Sequence, residues 1–269
     1  MSHPVVILGL GFTTRRLARR LLQRGVSVYA VVRGAERFAE LAALGVRLCG
    51  FDSCDLPKAC VLVHSVPPLA EPENSAIRDL IRELAPRRIL YISSTSVYGA
   101  HADVAGDTGA APNDEKGRAR VSEEQWIASC PRWQSLILRS AAIYGPGRGV
   151  YARLREGKLP RGVGRIVSRI HVEDLVTILE AGIESEVTGA FPVADEWPAD
   201  SWEIATWCAR LFGLILSEEP PIYTEMPTDG RRVDGKTIRE LLGVELKYPS
   251  YHAGVAADVI EESARLDSL

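Results

Sequence analysis

Two stretches of this sequence gather hydroxyl groups where a strand should end. One is Ser93-Ser94-Thr95-Ser96-Val97-Tyr98-Gly99, which follows an apolar run over 88–93. The other is Ala141-Ala142-Ile143-Tyr144-Gly145-Pro146-Gly147-Arg148, which follows an apolar run over 136–139. Hydroxyls clustered at such a place can polarise a carbonyl, or they can simply cap the strand end and satisfy its backbone. A third stretch, Gly9-Leu10-Gly11-Phe12-Thr13-Thr14, lies between four apolar residues and a run with apolar positions at helical spacing and arginines on the other face. Strand, glycine turn, helix is the context in which a G-x-G-x-x-G motif holds a dinucleotide. Gly9 would let the chain turn tightly. Gly11 would let a pyrophosphate reach the backbone and the positive end of the helix that Phe12 and Thr13 begin. Thr14 stands in place of the third glycine, which normally allows close helix–strand packing. A plain strand-to-helix turn without nucleotide is the competing reading.

The elements that must position these residues follow from hydrophobic pattern. Apolar runs at 5–8, 26–32, 46–48, 61–66, 88–93 and 136–139 read as strands, and helical spacing over 12–23, 35–44, 74–84 and 114–129 fills the gaps between them. Such alternation predicts an α/β fold: a Rossmann doubly wound parallel sheet with right-handed crossovers. In that architecture ligands bind outside the carboxyl ends of the strands. The hydroxyl loops and the glycine turn therefore face one crevice. Strand two ends in Arg33, with Arg37 just beyond and no carboxylate at the strand end. An acid there would hold the ribose of NAD, whereas arginine suits the extra phosphate of NADP; a solvated helix start is the bland alternative. Asp52 follows strand three, beside the adenine or as a turn former. Ser65 and Val66, where strand four is broken by Pro67-Pro68, would pass under the cofactor. His64 within that strand reads as a packed core residue.

From about residue 151 the rhythm changes to a loop rich in Gly, Pro and Arg, then helices near 172, 202–211, 237–242 and 255–264 with a strand at 189–194. This divides the chain into a dinucleotide-binding part, 1–150, and a small C-terminal α+β part, 151–269, that mainly binds substrate and does not fold by itself. The 32 basic and 35 acidic residues leave a net charge of −3, which argues against a nucleic-acid partner. Arginines lie beside glutamates on helices and read as solvated faces. The opening residues carry no charged region followed by a long apolar one, and no apolar run is long enough to span a bilayer. The expectation is a cytoplasmic chain, away from membranes, whose five cysteines are free thiols. The five histidines are scattered, so no metal site is expected.

Gly9-x-Gly11, the Ser-Ser-Thr-Ser-Val-Tyr-Gly run, Leu138-Arg139 with Tyr144-Gly145-Pro146-Gly147-Arg148, Ser168-Arg169-Ile170-His171-Val172-Glu173-Asp174-Leu175 and Arg231-Arg232-Val233-Asp234 resemble the extended short-chain dehydrogenase/reductases. More narrowly, they are similar to the NAD-dependent epimerase/dehydratase family that acts on nucleotide sugars. The resemblance implies a Ser/Thr, Tyr and Lys catalytic set, with the Ser/Thr falling on Ser94. At the places of the tyrosine and lysine this chain has Lys116 and Arg120, with Glu124 as the trailing acid. Arginine can still hold ribose hydroxyls and supply positive charge. Lysine cannot take the tyrosine's proton transfer without a sharp fall in its pKa. Three stand-ins follow: Tyr98, Tyr144, or Lys116 itself if buried.

The resemblance thus implies an NAD(P)-dependent oxidoreductase or epimerase-type enzyme for a nucleotide sugar or small carbonyl compound, with NADP, or alternatively NAD, as cofactor. Ser94 would hydrogen-bond the carbonyl and Arg120 would orient the cofactor ribose. Arg148, Arg169 and Arg232, with Arg231 beside it, would meet an anionic substrate. Relatives of this kind often dimerise through two helices. The alternative is a non-catalytic dinucleotide sensor that regulates a partner.

Overall fold

The structure is a computed structural model. It describes residues 3–51, 55–158, 160, 161, 163–213, 216 and 229–266. In chain order the first part comprises β1 (Val5–Leu8), α1 (Phe12–Gln23), β2 (Val28–Val31), α2 (Ala39–Ala43), β3 (Arg47–Cys49), β4 (Val61–His64), α3 (Glu73–Leu84) and β5 (Arg88–Ser94). It continues with β6 (Asp103–Val104), α4 (Glu115–Ser129), β7 (Gln134–Ser140) and β8 (Ala142–Tyr144). The second part holds α5 (Val150–Arg155), β9 (Ile166–Val167), β10 (Arg169–His171), α6 (Val172–Glu184), β11 (Gly189–Val193) and β12 (Ala199–Asp200). It ends with α7 (Ser201–Phe212), β13 (Gly230–Val233), α8 (Lys236–Leu242) and α9 (Tyr251–Leu266).

Seven strands form one sheet in the order β11-β7-β5-β4-β1-β2-β3, and every pairing in it is parallel. The order reverses at β1. A crevice opens there between the carboxyl ends of β1 and β4, and the glycine turn sits in it. β1 and β4 are buried on both faces, as their unbroken apolar runs require. On one face α1 and α6 bring Leu17, Leu21, Ile178 and Leu179 onto Val5, Ile7, Val63 and Leu90. On the other, α3 and α4 bring Ile77, Ile81, Leu84 and Ile127 onto Val6, Leu8, Leu62 and Ile89. β11 lies in this sheet beside β7, so the C-terminal part completes the layer begun by the first. Among the described residues no helix is long and apolar enough to cross a membrane.

Three expectations change. The arginines of α1 are not all a solvated face: Arg16 and Arg20, with Arg24 just past the helix end, pair with Glu173, Glu180 and Glu184 of α6, a ladder between two packed helices, while Arg15 stays exposed. The helix expected over 35–44 is a 3₁₀ turn, Ala35–Phe38, followed by the short α2. Cys60, Cys130 and Cys208 are free, but Cys49 at the end of β3 is disulfide-bonded, which corrects the free-thiol reading for that residue. His64 is 2% exposed, with its ring 5.0 Å from that of Tyr91, in the core as expected.

Candidate active site at the glycine turn

Gly9 leaves β1 with φ +87°, a conformation that side chains resist, and a Cβ there would lie 3.0 Å from Val66 and 3.2 Å from Ser65. Two hydroxyls pin its carbonyl: Ser65 Oγ donates at 2.8 Å and Thr14 Oγ1 at 2.7 Å. Thr14 Oγ1 also accepts the Gly11 N–H at 2.8 Å. Thr14 is fully buried, so a threonine in the third glycine's place becomes a staple within the turn. Gly11 faces open space, since a Cβ there would meet nothing within 4 Å.

Two clefts meet at this turn. The apolar cleft, about 390 Å³, lies over Gly9 and Leu10 and is lined by Val31, Val32, Phe51, Val66, Leu69 and Ile77, with Arg33 and Glu73 among its polar residues. Arg33 is exposed on it. Arg37 is not part of it; it lines a neighbouring cavity beside α1 with Arg15, Arg16 and Arg19. Asp52 lies outside the described residues.

The hydroxyl cleft, about 550 Å³, is lined by Gly11, Phe12, Thr13 and Ser65 from the turn side, and by Ser94, Thr95, Ser96, Arg120, Arg148 and Arg231 from across the sheet edge. β5 ends in Ser94, which N-caps a 3₁₀ turn by accepting the Ser96 N–H on Oγ at 3.2 Å. Ser94 caps the strand end, as one reading of this loop expects, and also lines the cleft. Arg120 is anchored from α4 by donating to the Ile92 carbonyl at 3.0 Å and the Tyr91 hydroxyl at 3.2 Å. Its guanidinium thus lies where the sheet ends, beside the serine loop. Burial pushes the Tyr91 phenol up to about 12.

Several expected site residues lie elsewhere. Lys116 is exposed and is not among the residues lining the cleft, so the burial its catalytic role required is missing. Tyr98 is fully buried because the 3₁₀ turn sends Val97 and Tyr98 inward; its hydroxyl meets Arg139 at 3.4 Å. Burial raises its pKa, opposite to what an acid–base tyrosine needs. Tyr144 is 4% exposed, donates to the Ser250 carbonyl at 3.1 Å and packs edge-on to His171. Burial raises its pKa as well. Glu124 stands behind the loop, 4% exposed, accepting from Ser93 at 2.5 Å and from Arg139 at 2.8 Å.

The arginines sort themselves by geometry. Arg169 is buried and donates to the Val167 and Ala199 carbonyls, both at 2.7 Å, and to Ser201 at 2.6 Å; it ties the C-terminal strands together and does not line the cleft. Arg232 is exposed and faces a separate groove with Asp103 and Lys236. Strand alternation sends its neighbour Arg231 the other way. Arg231 donates to the carbonyls of Thr95 at 2.6 Å, His101 at 3.2 Å and Gly99, which fastens β13 to the serine loop. Burial, then Arg165 nearby, lowers its pKa. Arg165 joins Arg231 in an adjoining cavity of about 520 Å³. Nothing local in the sequence marked Arg165.

A parallel sheet with a glycine turn at its switch point and a serine loop two strands away defines the class, a Rossmann-type α/β fold, which the chain shares with a putative NAD-dependent epimerase/dehydratase from Methylobacillus flagellatus at 22% identity and a TM-score of 0.75 over 98% of this chain and 100% of that chain. Within that class, the chain belongs to the family of Protein YeeZ of Escherichia coli (strain K12), to which it is 30% identical over 274 residues, 91% of this chain and 96% of that one. It is also similar to a functionally unknown conserved protein from Silicibacter pomeroyi, whose structure matches with a TM-score of 0.81 and 31% identity over 97% of this chain and 99% of that chain. A 3-diazoavenalumate denitrifying reductase from Streptomyces sp is 29% identical over 157 residues, 51% of each chain. At 17% identity the Bordetella bronchiseptica enzyme WbmG, in complex with NAD and UDP, shares the fold with a TM-score of 0.76 over 97% of this chain and 94% of that chain. No family model matches the chain.

Proposed function

We propose that this protein is a dinucleotide-dependent oxidoreductase that acts on a nucleotide sugar or small carbonyl compound in the hydroxyl cleft. The observation that carries the reading is that open space at Gly11 is continuous with a cleft lined by Ser94, Thr95, Ser96 and Arg120. A bound nicotinamide would supply or accept the hydride. The chain's part is to hold and polarise: the Ser94 hydroxyl aims at a substrate oxygen, and Arg120 holds ribose hydroxyls and stabilises negative charge that develops on that oxygen. This inventory favours carbonyl reduction, in which the proton that completes the alcohol would come from water, over an epimerisation that begins with removal of a hydroxyl proton. WbmG with NAD and UDP, and the Streptomyces reductase, support a dinucleotide and a redox reaction by similarity. The exposed Arg33 on the apolar cleft supports NADP over NAD, since its fork matches a 2′-phosphate.

One observation favours a second reading, a sensor that binds the dinucleotide without turnover. Among the described residues lining the hydroxyl cleft there is no carboxylate, histidine, lysine, cysteine or tyrosine to move a proton. Calorimetric titration with NADPH and NADH, paired with an absorbance screen of keto-sugars and small carbonyl compounds, separates the two. Binding with NADPH oxidation is the expected outcome for the enzyme. Binding without oxidation of NADPH by any compound points to the sensor, and absence of binding removes both.

A further inference from the structure

The start of α1 carries an unbalanced positive charge. Its first turn has no acidic residue, although a carboxylate there would offset the helix dipole. Arg16 lies over the Phe12 ring at 4.1 Å and Arg148 over the same ring at 5.1 Å. Arg16 is offset by Glu173 at 3.2 Å. The Arg148 side chain makes no ion pair or hydrogen bond among the described residues. It comes from the far side of the hydroxyl cleft, on a turn closed by Gly145 N–H to the Arg148 carbonyl at 3.1 Å and the Arg148 N–H to the Gly145 carbonyl at 2.9 Å. That turn is seated against α6: a Cβ at Gly145 would come within 2.6 Å of Val172. The arm that carries the guanidinium is therefore fixed by backbone, while the guanidinium itself is exposed.

The glycine turn has meanwhile lost a donor. In a helix-tip anion site the amides of the tip face the phosphates. Here the Gly11 N–H is spent on Thr14 Oγ1. We propose that Arg148 is a cofactor residue, not a substrate residue: it reaches across the cleft mouth to the dinucleotide's diphosphate and supplies the positive charge and donors that the Thr14 staple withdraws. The inference rests on the dinucleotide reading above and adds to it a specific ligand from the second half of the chain.

The test is calorimetric titration of the full chain and of Arg148→Ala with NADPH, ADP-ribose and UDP at low salt. Arg148→Ala should weaken NADPH and ADP-ribose by about tenfold, the scale of one charge-assisted contact, and leave UDP unchanged. Arg148→Lys should recover part of the loss. In 1 M salt, where screening falls to about 3 Å, the gap between the two chains should shrink. Because Arg148 is exposed, the variant should melt with the unsubstituted chain, which keeps misfolding out of the comparison. NADPH affinity within twofold of the unsubstituted chain overturns the assignment, and so does a loss confined to UDP, which would return Arg148 to the substrate. If the unsubstituted chain binds neither NADPH nor ADP-ribose, the dinucleotide reading itself fails and takes Arg148 with it.

Discussion

The two clefts share Gly11 and Ser65 yet are built in opposite ways. The apolar cleft draws its wall from residues 9–77, nearly consecutive β-α-β units, and is made of valine, leucine, isoleucine and proline with charge confined to Arg33 and Glu73. The hydroxyl cleft draws on residues as far apart as Phe12, Ser94, Arg120, Arg148 and Arg231, and sets hydroxyls and guanidiniums among apolar residues such as Phe12, Ile92 and Ile143. One offers mainly apolar surface, the other hydroxyl groups and positive charge. The first needs only that the sheet form. The second needs that the sheet be correctly backed and that β13 return to the serine loop. Its chemistry should therefore be more sensitive to substitutions that never touch a ligand.

The largest effect separating the clefts should come from Glu124→Ala. Glu124 is buried with Arg139 and Ser93 directly behind the serine loop, and its removal strands a buried guanidinium. Urea unfolding should show a loss of about 3–5 kcal/mol; a loss under about 1 kcal/mol would mean the hydroxyl cleft does not depend on this backing. Next is Gly9→Val, which places a branched side chain at φ +87° against Val66 and Ser65. NADPH affinity should fall by about 100-fold, and unchanged affinity would remove the turn from the binding site.

Arg33→Glu sharpens the reading of the apolar cleft. It should reduce NADPH affinity by about tenfold and leave NADH within a few-fold, converting the preference. Equal loss for both cofactors would make Arg33 a general diphosphate or structural residue.

How much of this was legible in the sequence depends on distance along the chain. β1, β4 and β5 declared themselves as apolar runs, because buried parallel strands have no polar face to break the pattern. Ser94 and the open glycine turn were readable for the same reason: each directly follows its strand. The orientation of Tyr98 was not, since only the 3₁₀ turn decides that Val97 and Tyr98 point inward while Thr95 and Ser96 face the cleft. Nor was the choice between Arg231 and Arg232, which hangs on the register of β13 with β6 and β9, strands of two residues each that carry no periodicity. The arginine ladder on α1 was misread because its glutamates lie on α6, roughly 160 residues away.

A smaller effect concerns pH. Burial, opposed in part by the Trp197 N–H and by Arg169, pushes the Asp195 carboxyl up to about 8. A carboxyl whose folded pKa is raised stabilises the fold while it is protonated and loses that contribution as pH rises from about 4 toward 8. Asp195→Asn keeps an acceptor for the Trp197 N–H and stays neutral. It should raise the melting temperature by about 2–4 °C at pH 8 and by less at pH 5. An equal shift at both values would show that Asp195 is ionised throughout. The smallest effects belong to Tyr98→Phe and Tyr144→Phe. Each should cost about 1 kcal/mol of stability and leave NADPH affinity and any turnover within twofold. Loss of turnover in either would restore that phenol to the chemistry.

The most direct measurement is a crystal structure of the chain grown with NADPH. Two phosphates should lie against the tip of α1 beside Gly11, with the adenosine in the apolar cleft and the nicotinamide facing Ser94 and Arg120. A dinucleotide seated anywhere else, or a hollow at Gly11 that stays without phosphate at saturating NADPH, would contradict the reading on which both clefts depend.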